Sequence, residues 1–196
     1  MPGKIPKIPI FDELLGTEKR IQQLQQKIAE LDWLEYSFGL AKRVIITSNE
    51  EEEQAPVVYT GVTSDPLDMR LWPDDVYRSY AFWNLIDAAE FEYFDNVNAH
   101  RRYPKIQQPV ALIVCLDNQK ISANQDNNVT HSICRNELIE KLNRSNVTGG
   151  IFEITSIIEN LPEAVFDGYD VEDNLHEPFS LIRVEGVLTF TQDCTI

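Results

Sequence analysis

The stretch PFSLIRVEGVLTFT, residues 178–191, alternates from Ile182 onward: Ile182, Val184, Leu188 and Phe190 point one way, and Arg183, Glu185, Thr189 and Thr191 the other. Period-two alternation of β-branched and aromatic residues predicts a strand with one covered face. At ~3.3 Å per residue the strand would reach roughly 45 Å, against an ordinary strand of about 5–6 residues. Two uses for such length are open. Strands at subunit edges can pair across copies and close a ring, which makes Arg183 and Glu185 candidate interface residues. A bent strand can instead serve two parts of one small sheet. Gly186 supplies the bulge or bend that curvature needs.

Working back from this strand, LPEAVFDGYDVEDNLHE (161–177) is turn-rich and IFEITSII (151–158) reads as a strand after the break at Gly149-Gly150. ICRNELIEKLNR (133–144) reads as a helix with Ile133, Leu138, Ile139 and Leu142 on one side, and KISANQDNNVTHS before it as polar turns. PVALIVCLDN (109–118) is a nearly continuous apolar run, the pattern of a central strand covered on both faces. NVNAHRRYPKIQ (96–107) reads as a loop; FEYFD (91–95), RSYAFWNLI (78–86) and PVVYTGV (56–62) as strands; LDMRLWPDD (67–75) as a short strand stopped by Pro73; and NEEEEQA (49–55) as an acidic turn.

In residues 17–34, Ile21, Leu24, Ile28 and Leu31 follow the spacing of an amphipathic helix. EYSFGLAKRVIIT satisfies both periods, and the expectation is helix to about Lys42, then strand. Residues 1–16 form an extended arm: Pro2, Pro6 and Pro9 each fix φ and remove a donor, while Ile5, Ile8 and Ile10 give the arm something to dock with. Docking on its own domain and docking on a neighbour are both open. The sum is an α+β architecture, a mainly antiparallel sheet flanked by about two helices, with a single domain over 17–196 and no internal repeat.

Thirty-two acids against seventeen bases give a formal charge of −15. That disfavours sequence-independent attraction to nucleic acid or anionic lipid. Eight acids and no Lys or Arg fall between Ile151 and Pro178; this is either a solvated surface or one that must repel a polyanion. No apolar run approaches a membrane span, and MPGKIPKIPI lacks the apolar region of a secretory signal. Cys115, Cys134 and Cys194 are odd in number and far apart, as expected of free thiols in a reducing compartment. The three sequons then have no glycosylating context.

Chemistry is sparse. There is no phosphate loop, HExxH, CxxC or nucleophile elbow. His100, His131 and His176 sit in polar stretches without ligand-like spacing, so no metal site and no cofactor are expected. Cys115 reads as a small hydrophobe, and Cys134 as opening a helix, where a thiol pKa can fall. Asp167, Asp170, Glu172 and Asp173 could gather a divalent cation, which leaves a metal-dependent enzyme as one alternative function. Their spacing is not that of an EF-hand. A monomeric cytoplasmic adaptor is the other alternative.

The order LDWLEYSFGLAKRV, WPDD, YPKIQQPVALIVCLDN, ELIEKLNR, GIFEITSIIENLP, AVFDGYDVED and EPFSLIRVEGVLTFT resembles, in layout from about Ile21 to Thr191, the tail-terminator and neck proteins of tailed bacteriophages. No short motif is shared, and the proline-rich arm and the 49–55 stretch have no counterpart. The resemblance implies a non-enzymatic subunit, made in the host bacterial cytoplasm, that forms a ring, usually a hexamer, in the virion. Its partners would be itself and other tail and neck proteins. DNA would pass through the ring, and an acidic lumen would let it slide. Ile5, Ile8, Ile10, Arg183 and Glu185 are the residues expected at interfaces.

Overall fold

The architecture comes from a computed structural model, which describes residues 6–11, 14–48, 51–60, 69–70, 76–95, 102–170 and 176–191. In chain order the elements are α1 (Gly16–Ile28), β1 (Tyr36–Leu40), β2 (Lys42–Ser48), β3 (Glu51–Val58), β4 (Met69–Arg70), β5 (Ser79–Leu85), β6 (Glu90–Asp95) and β7 (Arg102–Asp117). Then follow α2 (Asn118–Ile121), α3 (Asn127–Leu142), β8 (Ser145–Val147), β9 (Gly150–Glu159), α4 (Pro162–Val165) and β10 (Phe179–Thr191). The fold is α+β. A seven-stranded sheet runs β1-β5-β7-β10-β9-β8, with β6 sharing β7's edge with β5, and β2, β3 and β4 form a second sheet. Among the described residues only β1 against β5 is parallel.

The 178–191 strand is long because its neighbour is long. Every residue from Phe179 to Thr191 pairs with β7, Phe179 opposite Asp117 and Thr191 opposite Lys105, without a slip. Its other edge is taken by β9. It is therefore an interior strand. Against β9 the register slips between Glu185 and Gly186, where Thr155 is the extra residue. A Cβ on Gly186 would lie 2.5 Å from the Glu153 carbonyl oxygen and from the Phe152 ring, so close approach requires glycine there.

The core has two layers. On one face α1 and α3 cover Val110, Leu112, Val114 and Leu116 of β7 and Ile182, Val184, Leu188 and Phe190 of β10. On the other, Phe38, Val58, Val165 and Phe166 cover Ile113, Cys115 and Leu181. The apolar run at 110–116 is thus buried on both sides, as its continuity implies.

Several expected boundaries are corrected. There is no helix to Lys42: α1 stops at Ile28, Leu31 and Leu34 turn inward, and Tyr36–Leu40 pairs with β5. Where both periods fit, the sheet edge decided. The 49–55 stretch is not a turn throughout, since Glu51–Val58 pairs antiparallel with β2. The 96–107 loop is strand from Arg102, passing through Pro104 and Pro109. Pro109's carbonyl accepts from Ile86 N at 3.2 Å, so its missing N–H faces the gap between β5 and β6 on that same edge. The second helix starts at Asn127, where Asp126 Oδ1 accepts from the Asn128 and Val129 amides. Its buried side is Thr130, His131, Cys134, Leu138 and Leu142, so Ile133 is exposed and Ile139 only half-buried. The strands at 78–86, 91–95 and 151–158 form as expected. Pro73 lies outside the described residues.

Candidate assembly interface

An interior strand cannot pair with another subunit, so the sheet's open edges matter instead. The β1 edge is blunted by the chain's own arm. Ser37 N donates to the Lys7 carbonyl at 2.8 Å, and the buried Gln25 amide bridges the Pro9 and Ser37 carbonyls at 3.0 and 2.7 Å. The outer edge of β6 carries Glu90 and Glu92, the latter paired with Lys105 at 3.2 Å, which is how natural edges resist unwanted pairing. At the far end, β8 pairs only with Gly150, Ile151 and Phe152. From Glu153 to Glu159, β9 has β10 on one side and no strand on the other among the described residues. Between those two acids the edge reads ITSII: Thr155 is exposed, and Ile154, Ser156, Ile157 and Ile158 are half-buried.

The residues expected at interfaces divide. Ile5 lies outside the described residues. Ile8 is half-buried and Ile10 exposed. The described part of the arm docks on its own domain: Phe11 exchanges two hydrogen bonds with the Gln22 side chain, and its ring lies 4.3 Å from that of Tyr59. Arg183 is not on an exposed polar face. It is 3% exposed, and its Nε donates to Glu185 Oε1 at 2.8 Å while Nη1 donates to the Val165 and Ala164 carbonyls at 3.2 and 3.5 Å. The helical turn α4 lies over this face at Arg183, which is buried; Glu185 and Thr189 are half-buried and Thr191 is exposed.

The acidic turn does not gather its carboxylates. Asp167 reaches only to 4.0 Å from Arg183 Nη2 and stays largely in solvent. Asp170 instead latches onto β3, its Oδ2 accepting from Gln54 N at 2.6 Å and its N–H donating to Gln54 O at 2.9 Å. Asp173 lies outside the described residues. Among the described residues no three His, Cys, Asp or Glu side chains cluster as metal ligands.

His131 is not in a polar loop. It lies on α3, with Nδ1 2.9 Å from Ser180 Oγ and Nε2 2.7 Å from Glu159 Oε1. This Ser-His-Glu constellation was invisible in the sequence because its members come from α3, β9 and β10. Its distances suit nucleophilic catalysis, but its surroundings do not. Ser180 is 4% exposed and also bonded to Asn118, and the void it borders is about 10 Å³, at most a single water's worth. The network instead ties α3 to the sheet. Burial alone would raise the Glu159 carboxyl, but hydrogen bonds and charge from His131 and Arg135 outweigh it and hold the group below the usual carboxylate range. Cys134 sits mid-helix, and burial pushes its thiol up to about 12, opposite to the shift expected of a helix opening.

Among the described residues no helix is long and apolar enough to cross a membrane. Compared with known proteins, the chain matches no family model and no curated protein.

Proposed function

We propose that this chain is a structural subunit that works by assembling with copies of itself, as a tail-terminator or neck protein of a tailed-phage particle. The observation that carries the reading is the β9 edge. Along Glu153–Glu159 the backbone groups that point away from β10 have no strand partner among the described residues; a span that holds three isoleucines and no positive charge is a template for pairing with another chain. The β1 edge is covered by the arm and the outer edge of β6 carries Glu90 and Glu92, whereas the β9 stretch between Glu153 and Glu159 has no strand beside it among the described residues. A closed ring is heterologous, so β9 of one copy meets a different surface of the next. The charge of −15 fits a ring through which DNA slides without being held. The metal-enzyme alternative gains nothing from Asp167 and Asp170, which face different partners.

The test is Thr155→Lys. Thr155 is exposed and sits at the bulge, so the fold should hold, while a lysine on the edge blocks pairing. Sedimentation should show a multimer for the parent and a folded monomer for the variant. Identical multimers from both would remove β9 from the interface.

A further inference from the structure

We propose that the cleft enclosed by β2, β5, β10 and the Asp167–Tyr169 turn binds a small oxyanion, a carboxylate or phosphate group. The cleft measures about 230 Å³ and is lined by Arg43, Asn84, Tyr169 and Arg183, with Asp167 among its walls and Leu40 and Leu85 among its apolar residues. Its polar groups are chiefly donors. Arg183 spends Nε on Glu185 and Nη1 on two carbonyls. Its Nη2 makes no hydrogen bond among the described residues. Asn84 is 8% exposed, and its Oδ1 accepts from the Tyr169 hydroxyl at 2.8 Å; its two Nδ2 hydrogens are unspent among the described residues. The Arg43 guanidinium lies 5.3 Å from the Tyr169 ring centroid. It packs against Gly168, where any Cβ would collide with it, and no carboxylate pairs with it among the described residues.

Two guanidiniums and a primary amide therefore line one concavity in a strongly acidic chain. Planar forks of N–H donors suit the paired oxygens of a carboxylate or phosphate. Glu185 holds the Nε side of the Arg183 guanidinium at 2.8 Å; on the Nη2 side the Asp167 carboxylate, at 4.0 Å, lies beyond hydrogen-bonding distance, and its side chain is 75% exposed. Asp167 is a weak occupant, and a ligand oxyanion takes its place. The ligand would join Arg43 of the small sheet to Asn84 and Arg183 of the large one, a role separate from pairing at β9.

Isotope-labelled full-length protein should be titrated with phosphate, with acetate, and with chloride at matched ionic strength, following the Asn84 amide and Arg183 Nε–H resonances. Saturable shifts with phosphate or acetate, absent with chloride, are expected; the tighter of the two names the ligand class. Arg43→Ala should weaken binding by roughly tenfold, the scale of one charge-assisted contact. Asp167→Asn, a change at an exposed turn that leaves the fold alone, should tighten it by removing the competing carboxylate. Shifts no different from those with chloride would overturn the proposal, as would equal affinities in the parent and both variants.

Discussion

Arg183 is held entirely by its own chain, by Glu185 and two α4 carbonyls. Truncating it to alanine strands Glu185 and both carbonyls. Arg183→Ala should cost about 1–3 kcal/mol, the range for leaving hydrogen-bonding groups unpaired, read as a lowered urea midpoint. Glu185→Lys should likewise destabilise the monomer, because it sets a cation against the guanidinium. The alternation in the sequence placed Arg183 on the correct side of the strand. It could not show that α4, some twenty residues upstream, closes over that side. Cys134 illustrates the same dependence on surroundings: as a thiol held at about 12 and buried on α3, it should resist alkylation in the native state and react only on unfolding, as peptide mapping would show. For Glu159 the folded pKa is depressed, so its stabilising contribution is present above the unfolded value of about 4.3 and is lost as pH falls through the folded one. The stability gap between parent and Glu159→Gln should be widest near neutrality and close in acid. A gap independent of pH would mean that the carboxylate's charge contributes nothing.

At the scale of elements, what was legible followed from pattern strength. β7 and β10 announce themselves through an unbroken apolar run and a clean alternation, and the core face of β10 is the one its pattern indicates. β1 did not, because EYSFGL fits a helix until β5 lies beside it. α3 began early because its first turn is polar and is started by the Asp126 cap, a side chain easily read as part of a loop. The β9 edge was hidden for another reason: a strand's sequence shows its two faces, and only topology shows which of its edges lacks a neighbour. The arm also changes role. Residues 6–11 supply partners to Ser37 and to the buried Gln25, so deleting residues 1–11 should lower monomer stability by about 1–3 kcal/mol, the cost of leaving buried polar groups unpaired. A deletion variant with an unchanged melt would show that these contacts are idle.

For the whole molecule, we propose action through the edges of its sheet. The Ser180 end of the Ser-His-Glu link is buried while Glu159 is half-buried, the described turn carboxylates point apart, and β10 is a centre beam between β7 and β9. A strand edge without a neighbour among the described residues is the β9 stretch between Glu153 and Glu159. The most direct measurement is native mass spectrometry of the full-length chain alongside Thr155→Lys across a range of concentrations. The parent is expected at one multiple of the chain mass, the mark of a closed assembly, and the variant at the mass of a single chain. A parent that stays at the single-chain mass at every concentration would contradict it.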